Sequence, residues 1–266
     1  MSRFSKSFGL LFMFLLVAEV LKAQDPKYTL VWSDEFNYRG LPDSTKWAYD
    51  TVGNLWQWGN NELQQYTSFN KENAFVSNGA LKIQVVDKGG RITSARLQTK
   101  ASGSWKYARI EIKAKMASGR GLWSAAWLLP VDWEFSDGYI DGEIDFAEHV
   151  GFTSDSIYQA IHTYTHGFDS KETFTTVTPI ADCETEYHRY AVEWSGEYIQ
   201  FFVDDTLTST YLKSEHRHLR WTFNQSYFLL LNVAVGGSWA ASDGIDYDCF
   251  PAQMAVDYVR VYRVDK

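Results

Sequence analysis

Little in this chain could serve as a covalent staple or a stiff linker: two cysteines and five prolines are all that 266 residues contain. So few thiols exclude a disulfide-rich scaffold and a cysteine-based metal module. Cys183 and Cys249 leave open one disulfide or two free thiols. Positive charge is also scarce, with 25 Lys and Arg against 33 Asp and Glu and a net charge of −8. Nucleic acid and anionic membrane surfaces need a basic face and are not expected as partners. The sequence lacks a long hydrophobic run as well. The apolar stretch from Phe8 to Ala18 is about half of the roughly 20 residues that a membrane-spanning helix requires. There is no Pro- or Ser-rich linker, internal repeat or long amphipathic helix, so one domain, expected as a monomer, is the economical reading.

The short apolar stretch has a different use. Arg3 and Lys6 precede it and Leu21-Lys22-Ala23 ends it on a small residue, the layout of an export signal. Residues 1–23 are expected to be a signal peptide and residues 24–266 the mature, secreted or periplasmic domain; a retained N-terminal anchor is the alternative. The segment 1–23 carries three positive charges and one negative, which leaves the remainder near −10.

What the chain has in abundance is aromatic side chains, at 17 % of residues including eleven Trp. They fall in short β-rich runs separated by Gly, Asn and Asp, a pattern of an all-β fold. Strands are expected at Tyr28–Trp32, Leu81–Val85, Ala108–Lys115, Tyr190–Trp194, Tyr198–Val203, Tyr227–Val235 and Val256–Tyr262, with a hairpin tip at Asp204-Asp205. A two-sheet sandwich and a barrel both fit this pattern.

Gly142-Glu143-Ile144-Asp145-Phe146-Ala147-Glu148-His149-Val150-Gly151 places three carboxylates within six positions of an otherwise apolar strand. Like charges so close raise one another's pKa and do not stabilise a fold. In a regular strand Glu143 and Asp145 share a face while Glu148 points to the other. A β-bulge between Asp145 and Glu148 would return Glu148 to the face of Glu143. Two carboxyls on one face with separated pKa values are the equipment of glycosidic bond cleavage. A calcium site or a solvated acidic strand is the non-catalytic alternative.

This motif resembles the active-site strand of glycoside hydrolase family 16, in its laminarinase (endo-β-1,3-glucanase) branch. Trp32–Phe36, Asn60–Thr67, Thr93–Leu97, Gly121–Trp127, Asn232–Gly237 and Val256–Tyr262 resemble the family in order and spacing, across nearly all of residues 28–263. The resemblance implies a β-jelly-roll sandwich of two antiparallel sheets with a concave substrate cleft. It implies Glu143 as nucleophile, Glu148 as general acid/base and Asp145 as the carboxylate that sets the nucleophile's protonation. Trp123 and Trp127, four apart and on one strand face, become cleft platforms. Asn61, Glu62, Arg96 and His162 become substrate-contacting polar residues, and Trp133 and Trp239 join Trp56 and Trp58 as loop aromatics suited to stacking on sugar. No cofactor is implied for catalysis. A structural Ca²⁺ is implied on the backbone oxygens of Glu35 and Gly79 and the Asp257 carboxylate, oxygen ligands that suit that ion. The pairs His162-x-x-x-His166 and His216-x-His218 lack a third ligand for a transition-metal centre.

Where the laminarinase branch usually has Pro and Phe, this chain has Ser124 and Ala126; Ala147 replaces a common Met, and Trp133–Asp141 lacks the usual Trp-Pro pair. These changes are expected to alter the cleft walls. The negative charge fits a neutral β-glucan better than a sulfated polymer. The implied activity is retaining endo-cleavage of β-1,3-glucan, with mixed-linkage β-1,3-1,4-glucan as a further substrate. The alternatives are the same fold acting on a galactan such as agar, and a non-catalytic carbohydrate-binding jelly roll.

Overall fold

The structure, a computed structural model, describes residues 28–133, 142–164 and 170–265. The expected signal peptide, His166 and all but the first residue of the Trp133–Asp141 stretch lie outside them. In chain order the strands are β1 (Tyr28–Asp34), β2 (Ala48–Tyr49), β3 (Gln65–Tyr66), β4 (Ala74–Ser77), β5 (Ala80–Lys88), β6 (Arg91–Ser94), β7 (Arg96–Gln98), β8 (Ala108–Lys115) and β9 (Leu122–Pro130). They continue with β10 (Glu143–Val150), β11 (Ser156–Tyr164), β12 (Lys171–Pro179), β13 (His188–Trp194), β14 (Tyr198–Val203), β15 (Thr206–Leu212), β16 (Tyr227–Val235) and β17 (Ala252–Val264). The runs of β-branched and aromatic residues read from the sequence are each in a strand. The longest, β17, extends beyond Val256–Tyr262 at both ends. Asp204 and Asp205 form the predicted hairpin tip, both with positive φ (46° and 67°), as a two-residue turn matched to strand twist demands.

Two sheets face each other as a jelly-roll sandwich. One has the order β12-β11-β10-β9-β16-β7-β2. The other runs β15-β14-β13-β8-β17-β5-β6-β3, with β1 also on β17 and β4 on β5. All pairings are antiparallel except the short β3–β6 contact. The core between them takes every second residue: Ile144 from β10, Leu229, Leu231 and Val233 from β16, Ile110 and Ile112 from β8, and Val259 and Val261 from β17. Strand β16 is buried along its whole length because its other face, with Leu230, Asn232 and Ala234, is covered by residues of the concave side. Edge strand β12 is half exposed and carries Lys171, Glu172 and Pro179 at its ends, which limit unwanted strand pairing. Among the described residues, no helix is long and apolar enough to cross a membrane.

The bulge expected in β10 is present. Against β11 the pairing passes from Asp145↔Ala160 to Glu148↔Tyr158, and against β9 from Asp145↔Trp127 to Ala147↔Ala126, so β10 carries one extra residue. A bulge releases a backbone group from the ladder, and here Gln159 Nε2 donates to the Phe146 carbonyl at 3.1 Å. Gln159 is itself buried and accepts from Thr208 Oγ1 at 2.6 Å. Gly142 immediately precedes β10 with φ +96°, and a Cβ there would lie 2.5 Å from Tyr227 Oη, so both backbone and space require glycine.

Candidate active site

With the extra residue in place, Glu143, Asp145 and Glu148 line one cavity on the concave sheet, while Ile144, Phe146 and Ala147 enter the core. The cleft has two adjoining lobes of about 270 and 540 Å³ that share Trp58, Gly59, Asn60, Trp123, Glu143 and Glu148. Volumes of this order are typical of ligand sites.

Burial dominates the electrostatics. It pushes the Glu143 carboxyl up to about 7, with further help from the neighbouring Asp145 charge. Burial raises Asp145 to about 8 and raises Glu148 well above the carboxylate range, again with Asp145 adding repulsion. Burial opposes ionisation of all three, and the repulsion of Asp145 on Glu143 and Glu148 keeps them from ionising together. A protonated donor therefore stands in the same cavity as a carboxylate able to attack.

His162 Nε2 is 2.9 Å from Asp145 Oδ2 and 3.9 Å from Glu143 Oε1. Its Nδ1 meets Thr173 Oγ1 at 2.8 Å, which fixes the ring from β12. Glu143, Asp145 and His162 offer atoms within 4.8 Å of one another. Among the described residues this is the one cluster dense enough for a metal through side chains, and it coincides with the reacting carboxylates. His216 and His218 stand beside each other with ring centroids 6.4 Å apart and, among the described residues, gain no third ligand. Buried His149 meets the Ser156 carbonyl and Glu184 Oε1, each at 3.0 Å.

The aromatic and polar wall is built from several strands. Trp127 Nε1 donates to Asn232 Oδ1 at 2.8 Å, and Asn232 Nδ2 donates to Tyr66 Oη at 3.1 Å. The Arg96 guanidinium lies between Trp58 and Trp127, 4.3 and 4.6 Å from their ring centres, and its Nε is 3.1 Å from Asp50 Oδ2. Glu62 accepts from Asn60 Nδ2 at 3.0 Å and Gln64 Nε2 at 2.6 Å. Trp133 lines the first lobe and Trp239 the second. Trp123 is more than a platform: its indole N–H donates to Glu148 Oε1 at 2.9 Å. Trp239 meets Trp123 edge-on at 5.1 Å and Tyr158 edge-on at 4.9 Å.

The structure departs from some sequence expectations and bears on others left open. Asn61 is exposed with φ 58° and does not line the cleft; its neighbour Asn60 does. Ser124, Ala126 and Ala147 do not form cleft walls. They are 1, 0 and 0 % exposed, Ser124 Oγ accepts from the Ala117 amide at 3.1 Å, and the two alanines belong to the core. Strand alternation explains this, because Trp123, Ala125 and Trp127 take the cleft side. Trp56 is 54 % exposed and lies outside the lining. The Cys183–Cys249 disulfide is not formed: Cys183 Sγ lies against the Ser154 carbonyl at 3.4 Å and His149, whereas Cys249 Sγ packs beside Gly119. At the expected calcium position, Lys113 Nζ lies 2.8 Å from Asp257 Oδ2, so the one side-chain ligand already has a cationic partner. The Glu35 carboxylate is held by both Arg260 nitrogens at 2.9 and 2.8 Å.

Tyr158 and Lys171 also line the cleft but carry no local signature, since each is an ordinary strand residue until topology brings it there; Tyr66, another lining residue, falls in the segment Asn60–Thr67. Asn232 was within reach of the sequence, in the segment Asn232–Gly237.

The chain matches the profile of Glycosyl hydrolases family 16 over residues 61–260. It is 45 % identical to a beta-glucanase of Rhodothermus marinus, over 90 % of this chain and 86 % of that protein. The solved laminarinase from Rhodothermus marinus superposes with a TM-score of 0.81 at 44 % identity, covering 90 % of this chain and 98 % of the other. The structure of SCLam, a non-specific endo-beta-1,3(4)-glucanase, superposes with a TM-score of 0.80 at 35 % identity, covering 91 % and 93 %. Profile, identity across the chain and shared architecture agree with the carboxylate strand at the cleft floor: this chain belongs to glycosyl hydrolases family 16.

Proposed function

We propose that this protein is an exported, endo-acting, retaining β-glucanase that cleaves neutral β-1,3-glucan, with mixed-linkage β-1,3-1,4-glucan as its second substrate. The observation that carries the reading is the β10 bulge, which turns Glu143 and Glu148 into one cavity where burial raises both carboxyls. Glu143 bonds to the anomeric carbon as the glycosidic C–O bond breaks, and the Glu148 proton goes to the leaving oxygen. Glu148, now ionised, takes a proton from water. The water oxygen bonds to the anomeric carbon and Glu143 leaves, which restores both groups. Asp145, held beside His162, shares the local charge and keeps the trio from ionising together.

The relatives named beta-glucanase and laminarinase support a β-1,3-glucan substrate, and the name of SCLam supports tolerance of mixed linkages. The net charge of −8 disfavours sulfated galactans. The export signal in residues 1–23 supports secretion, and the monomer is part of the same proposal. The proposal also retains a structural Ca²⁺ at Glu35, Gly79 and Asp257, which would displace Lys113 from Asp257; no catalytic step passes through it. The test is kcat/KM on laminarin, lichenan, agarose and κ-carrageenan at fixed ionic strength. Laminarin should rank first and lichenan second. A higher value on either galactan would overturn the substrate, and retention of glucan without release of reducing sugar would favour a binding module.

A further inference from the structure

A separate cavity lies on the sheet opposite the cleft. Along β8, Ile110, Ile112 and Ala114 enter the core while Arg109 and Glu111 alternate onto the outer face. On β17, Val259 and Val261 point inward and Tyr262 outward; on β14, Phe201 and Val203 point inward and Phe202 outward. Charged residues on the outer face of an antiparallel sheet are ordinarily solvated, yet Arg109 and Glu111 are only 7 and 8 % exposed. Aromatic side chains from the neighbouring strands cover them and leave a hollow of about 370 Å³ lined by Tyr28, Arg109, Glu111, Phe202, Asp205 and Tyr262.

Its construction repeats that of the cleft wall. In the cleft, the Arg96 guanidinium sits between Trp58 and Trp127 and beside the Asp50 carboxylate. On the outer sheet, Arg109 lies 4.7 Å from the Phe202 ring centre and 5.6 Å from that of Tyr28, with Nη2 3.1 Å from Glu111 Oε2 and 4.0 Å from Asp205 Oδ1. The rings of Tyr28 and Tyr262 are 6.1 Å apart. Aromatic surface beside a fixed guanidinium and carboxylates suits a sugar ring, which offers apolar C–H faces and a rim of hydroxyls. Arg109 pairs with Glu111 and Arg189 with the other Asp205 oxygen, so the two carboxylates are balanced and the cavity offers no excess charge for a phosphate or sulfate group.

We propose that this cavity is a second binding site for a neutral β-glucan chain, remote from the reacting carboxylates, which tethers the enzyme to insoluble polymer. The identity of the polymer rests on the function proposed above. Because the two sites are on opposite sheets, one chain segment can be held while another is cleaved, and tethering raises the effective substrate concentration at the cleft.

The test uses the full chain with Glu143→Gln, which should bind without cleaving, and measures its depletion from solution by insoluble β-1,3-glucan particles. Adding Phe202→Ala or Tyr262→Ala should weaken retention about threefold to tenfold, the scale of one or two aromatic contacts, and Phe202→Tyr should restore it. Asp205→Ala, at a side chain that is 62 % exposed, provides a variant that does not depend on ring packing and should also weaken retention. With Glu143 intact, the same changes should leave kcat/KM on a soluble laminari-oligosaccharide unchanged. Unaltered retention in Asp205→Ala and in the folded aromatic variants would overturn the second site, as would parallel losses of retention and oligosaccharide cleavage. A wild-type enzyme that neither cleaves nor is retained by β-1,3-glucan would instead overturn the substrate reading.

Discussion

Trp123 Nε1 donates a hydrogen bond to Glu148 Oε1 at 2.9 Å, so an aromatic side chain of the cleft wall directly holds the proposed acid/base. The bond favours the charged form of Glu148 and opposes the effect of burial. That matters in the second half of the reaction, when Glu148 must be a carboxylate. Trp123→Phe keeps the ring and removes the donor. It should raise the Glu148 pKa, move the alkaline limb of the pH–rate profile upward and lower kcat about tenfold, with KM changed far less. Tryptophan contacts that served only the fold would change stability and leave the pH limb in place.

Gln159 supplies the partner of the Phe146 carbonyl that the bulge releases. Gln159→Ala would leave that buried acceptor unsatisfied, at a cost of about 1–3 kcal/mol, and weaken the constraint that re-aims Glu148. Thermal melting should show the destabilisation. At a temperature where the variant remains folded, kcat on laminarin should still fall by about tenfold or more. Full turnover in a folded Gln159→Ala protein would mean that the bulge holds without this bond.

The raised carboxyl pKa values have a stability consequence of definite sign. A group that titrates higher in the folded than in the unfolded chain favours folding while protonated, and that contribution is lost as pH rises through the folded value. For Glu143 the window runs from the ordinary carboxylate range up to about 7. Glu143→Gln should therefore raise Tm more at pH 8 than at pH 4, by about 2–4 °C per kcal/mol for a domain of this size. An equal shift at both pH values would show that ionisation of this group carries no such cost.

Much of the site was legible because strands obey a period of two. Glu143, Asp145 and Glu148 break that period by one residue, and the break demanded the bulge that β10 contains. The same alternation places Ser124 and Ala126 on the core side, opposite Trp123 and Trp127 and away from the cleft wall. Asn60 and Asn61 could not be separated in this way, since the backbone around them visits positive φ at Gln57, Trp58, Gly59 and Asn61 and parity is lost. Pairings such as Arg96 with Asp50, or the separate surroundings of Cys183 and Cys249, depend on which strands become neighbours, and that is decided by the whole sandwich.

Calcium should bind only by displacing Lys113 from Asp257. Added Ca²⁺ is expected to raise Tm and EDTA to reverse the rise, with Asp257→Asn abolishing the response. A Tm unaffected by Ca²⁺ in the wild-type protein would remove the ion from the account, without touching the carboxylate chemistry.

Early-turnover proton NMR of the wild-type enzyme on laminarin tests the central claim most directly, because the anomeric configuration of the first product reports how the two glutamates divide the work. A nucleophilic Glu143 and an acid/base Glu148 on one face require two inversions. New reducing ends should therefore appear first as the β anomer, with the α signal rising later through mutarotation. An initial α signal would contradict the account, since water would then have attacked directly and Glu143 would not be a nucleophile.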